Sequence, residues 1–369
     1  MIYLDSAATS FQKPASVLRA YEDALRTSSS PGRGAYKSAM KAANLMLDMR
    51  EKAAAFFAFF DPERIVMTMN ATHALNIAIR SLVSKDDKVV ISGFEHNAVL
   101  RPLYAIGTEI CVAGKTLFDS EGMIEEFKRS LPGAKAAVCT HVSNVFGYIL
   151  PIREIAALCR ERGVPLIIDA SQSAGVIDVD CSQIEASFVA MPGHKSLLGT
   201  PGSGLILCGN DAEPLLYGGS GSDSTELDMP AYLPDRLEAG TQNAPAAAAL
   251  AAGIRYIEKT GRARIEAHEK DLMRHMSALL EKHSEIEQFV SKENNMSGVL
   301  SFRVRGHDCE EIAEKLGAQG ICVRSGLHCA PLAHESAGTL KTGTVRMSFS
   351  PFNTHAEIET AAGKLIKII

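Results

Sequence analysis

Leu166-Ile-Ile-Asp169-Ala-Ser-Gln172 and, downstream, Phe188-Val-Ala-Met-Pro-Gly-His194-Lys195 are the stretches from which the rest of this chain is read. Each is an uninterrupted apolar run that ends in polar, turn-forming residues. A strand that is apolar on both of its alternating faces must be covered on both, as in a parallel sheet held between layers of helices. Upstream, Ile65–Met69, Lys88–Ser92, Ile110–Val112 and Ala136–Thr140 repeat the pattern and predict further strands. Helices are predicted between them, over Thr72–Val83, Asn97–Ala105, Glu121–Leu131 and Ile152–Arg162. The alternation runs from about Ile65 to Leu207 and predicts an α/β fold with a mostly parallel sheet. Ligands of such sheets sit beyond the carboxyl ends of the strands, where Asn70, His96, Asn144 and Asp169 should converge.

Beyond this region the pattern changes. Ala244–Ile257 and Arg262–His283 read as helices broken at Gly261, and from about Ser297 the order is strand, helix, strand, loop, strand, helix. A chain of 369 residues exceeds what one core usually holds, so two domains are expected. We expect a large α/β domain over 15–250 and a smaller α+β domain formed by 1–14 and 251–369. Hydrophobic residues at 46%, charged residues at 22% and a net charge of −5 describe a globular protein with no electrostatic reason to bind nucleic acid. The first residues lack the basic and apolar regions of a secretory leader, and no run approaches the roughly 20 apolar residues of a membrane span. Eight cysteines are scattered without a C-x-x-C pair or zinc spacing, which fits a reducing cytoplasm and predicts no metal.

The chemistry starts from Lys195 and Asp169. A lysine that holds an aldehyde as an imine needs an acid elsewhere to protonate the cofactor's pyridine nitrogen. An aspartate at the end of a buried strand, upstream of a lysine in a Gly-containing turn, meets that need in pyridoxal-phosphate enzymes. Alone, Pro-Gly-His-Lys could be an ordinary turn and Asp169 a helix cap; together they predict a cofactor site. Met69-Asn70-Ala71-Thr72-His73 joins a strand to a helix, so its backbone N–H groups suit a phosphate, with Thr72 adding a hydroxyl. Gln172 stands where it could reach the ring hydroxyl. His96 could stack on the ring, or be a structural histidine after a strand. His194 is either a phosphate ligand or a turn residue. Val323-Arg324-Ser-Gly-Leu-His328-Cys329-Ala-Pro331 places a cysteine in a loop, where exposure and a nearby cation would favour its thiolate; an inert thiol is the plainer alternative. Arg346 is a candidate fork for a substrate carboxylate, or a surface ion pair. The glycine run Gly199–Gly204 should shape the backbone beside the lysine.

Read together, these motifs make the chain resemble the class V aminotransferase superfamily, in its cysteine desulfurase and selenocysteine lyase branch, with the type I fold of pyridoxal-phosphate enzymes. The resemblance runs from Tyr3-Leu-Asp-Ser-Ala-Ala-Thr9 and Gly32–Tyr36, through Glu95-His96, Ser143-Asn144, Asp169–Gln172 and Gly193–Lys195. It continues in Glu238–Asn243, Arg324–Ala330, Val345–Ser348 and Phe352–His355. It implies that Lys195 is the imine lysine, that Asp169 pairs with the pyridine nitrogen and that Gln172 meets the ring hydroxyl. It also implies that His96 stacks on the ring, that Ala71, Thr72 and His194 lie at the phosphate, and that Thr241 reaches it from the partner subunit of a homodimer. Asn144 and Arg346 resemble the substrate-carboxylate pair, Cys329 the persulfide-forming cysteine and Arg324 the family's active-site arginine. The implied reaction converts L-cysteine to L-alanine and leaves sulfur on Cys329, for a possible acceptor protein. Selenocysteine lyase activity or another reaction on an amino acid is the alternative, and a cofactor-binding scaffold without turnover is a third reading. Pro192 stands where many relatives carry serine, and Asn70–His73 where many read Gly-Thr-Thr-Glu; both departures touch cofactor anchoring.

Overall fold

The computed structural model describes every residue except Arg33, so that part of the Gly32–Tyr36 motif lies outside the described residues. The chain opens with β1 (Ile2–Tyr3) and two helices, α1 (Ala15–Thr27) and α2 (Lys37–Phe56), to which the sequence analysis assigns no element. The α/β region follows as β2 (Ile65–Thr68), α3 (Ala71–Leu82), β3 (Lys88–Ser92), α4 (Asn97–Ile106), β4 (Glu109–Ala113) and α5 (Ser120–Ser130). It continues through β5 (Ala136–Thr140), α6 (Ile152–Glu161), β6 (Leu166–Asp169), the short α7 (Cys181–Ile184), β7 (Phe188–Pro192) and β8 (Gly204–Cys208). These strands form one seven-stranded sheet in the order β2-β8-β7-β6-β5-β3-β4. All of its strands run the same way except β8, which is antiparallel to both neighbours. The apolar runs of β2, β5, β6 and β7 are buried throughout, as the unbroken pattern required.

β8 is the strand that the pattern does not announce. It returns from the Lys195 turn as a hairpin on β7, with Pro192 opposite Gly204. A Cβ on Gly204 would stand 2.8 Å from the Asn70 carbonyl carbon and 2.9 Å from its Cα, so only glycine lets β8 start against the turn that precedes α3.

Helices α8 (Ala244–Thr260) and α9 (Arg262–Leu280) are separated by Gly261, as read from the sequence. The alanine-rich α8 packs against α1 and α2 and runs under the lysine turn. Its Gly253 comes so near the Leu197 carbonyl that a Cβ would stand 2.1 Å away; small residues are what let the helix approach. The remainder forms β9 (Ile286–Phe289), β10 (Val299–Val304), α10 (Cys309–Ala318), β11 (Ile321–Cys322), β12 (Arg324–Gly326), α11 (Pro331–Ser336), β13 (Thr344–Ser348) and α12 (His355–Ile366). β9, not foreseen, closes an antiparallel sheet of order β12-β13-β10-β9. Leu4, after β1, packs into the hydrophobic cluster beneath that sheet, and β1 itself pairs with β11. Among the described residues no helix is long and apolar enough to cross a membrane, and no group of His, Cys, Asp and Glu could hold a metal.

Candidate active site

A cleft opens at the carboxyl ends of the strands. It is lined by Ala71, Thr72, His96, Asn144, Asp169, Gln172, His194 and Lys195, eight of the twelve residues to which the resemblance gives a role, and by Asn70, which the strand pattern also placed there. Their elements explain why. β6 ends on Asp169, which is 3% exposed and accepts a hydrogen bond from Ser171 N at 2.9 Å through Oδ1. Its Oδ2 has no partner among the described residues and remains free for a ligand. Lys195 lies two residues beyond Gly193 in the turn after β7, and its amine makes no hydrogen bond among the described residues. Burial, opposed by Asp169 and aided by Arg346 and Arg324, lowers the Lys195 ammonium to about 8, so a neutral amine is accessible near physiological pH.

Asn70 caps α3 by accepting from His73 N at 2.9 Å. The N–H groups of Ala71 and Thr72, in the first turn, have no intrahelical acceptor and point their dipole into the cleft. His96 caps α4, its Nδ1 accepting from Ala98 N at 3.0 Å, which puts the ring proton on Nε2. Burial pushes its pKa down, so the imidazole is neutral. Glu95 beside it, whose task no local sequence pattern announces, is fully buried and accepts from Ser92 Oγ and Thr140 N through Oε1. It ties the turn carrying His96 to the end of β5.

Cys329, Arg324, Arg346 and Thr241 do not line the cleft. Cys329 is the exposed member of eight free cysteines, the others being buried or half-buried. His328 and Cys329 both adopt left-handed backbone conformations, at φ 49° and 57°. Two successive non-glycine residues there are strained, and the loop is held by contacts at both carbonyls. Asn144 Nδ2 donates to His328 O at 2.8 Å, and Asn97 N donates to Cys329 O at 2.8 Å. The cysteine is thereby fastened beside His96 at the edge of the cleft. Arg324 Nη2 lies 3.9 Å from its sulfur.

Arg346 is neither a surface residue nor free. It is 1% exposed, and it donates to Asp5 Oδ1 at 2.6 Å and to Asn144 O at 2.9 Å. Among the described residues its buried Nε–H has no partner, leaving an unused donor in a guanidinium next to Asn144. Gln172 also has a partner already, donating to Ala7 O at 3.0 Å. Both partners lie in the Tyr3–Thr9 motif, whose residues carry no local sign of these contacts. Thr241 is exposed and lies outside the cleft of its own chain. Nearby Glu238, also unassigned, is buried against Arg50 at 2.6 Å and accepts from Met67 N at 2.8 Å, fixing the loop that carries Thr241 to β2.

The class V aminotransferase model matches residues 2–360. The chain belongs to that family. A probable cysteine desulfurase of Methanothermobacter thermautotrophicus is 33% identical over 386 aligned residues, covering 100% of this chain and 94% of that protein. A probable cysteine desulfurase of Pyrococcus abyssi is likewise 33% identical with the same coverage. Among solved structures, the apo cysteine desulfurase of Thermococcus onnurineus NA1 superposes with a TM-score of 0.91 at 30% identity, covering 100% of this chain and 94% of that one. As a class V aminotransferase, the chain has the α/β fold with a mostly parallel sheet that the strand pattern predicted, in the type I arrangement of its structural neighbours.

Proposed function

We propose that this protein is a pyridoxal-phosphate-dependent cysteine desulfurase, converting L-cysteine to L-alanine and collecting the sulfur on Cys329 as a persulfide. The donor set supports the cofactor: one cleft offers an unpaired amine, a buried carboxylate with a free oxygen, a helix N-terminus and an imidazole. Lys195 would hold the aldehyde, Asp169 the pyridine nitrogen, Gln172 the ring hydroxyl, and Ala71, Thr72 and His194 the phosphate. When bound, pyridoxal phosphate supplies an electron sink for the substrate's α-carbon. Asn144 and Arg346 orient the substrate carboxylate, the unused Nε–H of Arg346 being a donor for it. The neutral Lys195 amine takes the α-proton. His96, with the proton on Nε2 set by the α4 cap, would lie against the cofactor ring and could pass a proton at the substrate. The Cys329 thiolate, with Arg324 beside it, attacks the substrate sulfur. An S–S bond forms, the carbon–sulfur bond breaks, and its electron pair stays with the carbon fragment, which is protonated and leaves as alanine.

The observation that carries this reading is the Cys329 loop. A strained, exposed cysteine pinned by Asn97 and Asn144 to the rim of a lysine–aspartate cleft serves sulfur transfer, whereas a transaminase needs no such thiol. Incubation with L-cysteine should yield alanine and place a thiol-labile sulfur on Cys329. Cys329→Ala should keep the cofactor and release almost no alanine. Full turnover in that variant, or persulfide on another cysteine, would show that the reaction is a different one. L-selenocysteine should remain a substrate of Cys329→Ala, because selenium leaves more readily than sulfur.

We further propose a large domain over 15–250 and a small one formed by 1–14 and 251–369. A homodimer in which Thr241 completes the partner's phosphate site fits its exposure outside its own cleft. A cytoplasmic location and an acceptor protein for the sulfur accord with free thiols and an exposed Cys329.

A further inference from the structure

His194 meets the N-terminal segment through two different atoms. Its ring Nδ1 lies 3.0 Å from Thr9 Oγ1, and its backbone carbonyl lies 3.2 Å from the same hydroxyl. The ring lines the cleft with Ala71 and Thr72, and Nε2 has no hydrogen-bond partner among the described residues. A neutral imidazole carries one ring proton, so Nε2 is a donor in one tautomer and a bare lone pair in the other. For an anion, the first attracts and the second repels.

The Thr9 hydroxyl decides between them. It has one proton and two acceptors within reach. The carbonyl is already supplied: Ser10 N donates at 3.0 Å, Ser10 Oγ at 2.9 Å and the Lys13 ammonium at 3.3 Å. Lys13 also bonds Ser10 Oγ, which keeps that hydroxyl aimed at the carbonyl. A carbonyl oxygen has two lone pairs and needs no further donor. Among the described residues Nδ1 has no other partner, and it is the nearer acceptor. We propose that Thr9, relieved of the His194 carbonyl by Ser10 and Lys13, donates to Nδ1 and so locks His194 as the Nε2–H tautomer, a hydrogen-bond donor to the cofactor phosphate. Burial, with Lys195 and Lys13 nearby, pushes the imidazole down to about 4, so the tautomer, not a charge, governs what His194 offers. Thr9 is therefore a positioning residue. The inference rests on the pyridoxal-phosphate reading above.

Two measurements test it. In apoprotein labelled with 15N-histidine, and with the His194 signals assigned by their loss in His194→Gln, Nδ1 should show the unprotonated shift and Nε2 the protonated one. Titrating apoprotein with pyridoxal phosphate, followed by absorbance, should give roughly tenfold weaker binding for Thr9→Val, the loss of one directed hydrogen bond, and near-native binding for Thr9→Ser. A protonated Nδ1 in the wild-type apoprotein would overturn the proposal without recourse to any variant. So would Thr9→Val binding as tightly as wild type. No uptake of pyridoxal phosphate by wild type would overturn the cofactor reading itself, and is thus distinct from uptake with unchanged affinity.

Discussion

At the residue scale, identical side-chain types acquire different tasks from their surroundings. Asp169 and Glu95 are both buried carboxyls near the ring site. Glu95, with no cation beside it, is raised to about 8 by burial, with Asp169 adding to the effect, and serves as a neutral brace. Asp169 keeps a free oxygen toward the cleft, which is what a pyridinium partner requires. Asp169→Asn should retain the cofactor and slow alanine formation from L-cysteine severely, because an amide does not hold the pyridinium proton. Turnover within about threefold of wild type, a barrier change under about 1 kcal/mol, would remove Asp169 from that role. Cysteine shows the same contrast: Cys139, Cys159, Cys181 and Cys208 are pushed up by burial and behave as small hydrophobes, while Cys329 is held out in solvent.

At the scale of elements, the site depends on turns that approach each other closely. β8 begins against the Asn70–Thr72 turn only because Gly204 lacks a Cβ. Gly204→Ala should push that turn away from the cleft, weakening pyridoxal-phosphate binding and costing about 1–3 kcal/mol of stability from overpacking. Cofactor titration and thermal unfolding report the two effects; native values for both would mean that β8 does not support the phosphate turn. The Cys329 loop depends on a side chain from the other end of the site. Asn144→Ala removes the donor to His328 O, and the loop should sample other conformations. Sulfur transfer to Cys329 should then fall more than cofactor affinity does, which a single-turnover persulfide assay beside a cofactor titration would separate.

For the whole molecule, buried ionisable groups set the pH range of stability. His141, His328 and His334 are lowered by burial to about 3, 2 and 4, against an ordinary value of 6.5. The unfolded chain therefore binds more protons once the pH falls below about 6.5. Their contribution is complete above that value and is lost as the pH falls towards the folded values. Glu95 acts in the opposite sense: the native chain keeps its proton up to about 8, the unfolded chain only to 4.5, and stability declines as pH rises through that window. Glu269 and Glu238 are raised by burial in the same sense, so thermal unfolding of the apoprotein against pH should show both limbs, and Glu95→Gln should make the alkaline limb shallower and leave the acid limb unchanged. An unchanged alkaline limb would mean that Glu95 is ionised in the native state. Assembly is tested separately: the holoprotein should sediment as a dimer, and an active monomer would leave Thr241 a structural residue.

By itself the sequence determined the parallel sheet, the cleft at its carboxyl edge and most of what lines it, because burial on both faces imprints an unbroken apolar run and turn residues mark where each strand ends. Asp169, Lys195, Thr72 and His96 were legible for that reason: each ends a strand or follows one within a few residues, and its place follows from local pattern. β8 was not, since a glycine run followed by four apolar residues fits a loop as well as a reversed strand until β2 and β7 are seen to flank it. Only the tertiary structure decided that Arg346 is buried against Asp5, that Gln172 bonds Ala7, that Thr9 and Lys13 surround His194, and that Asn144 holds the Cys329 loop. Those contacts join residues far apart in the chain. No local periodicity records them, because they are made by the packing of the N-terminal segment and the β10–β13 region over the end of the large sheet.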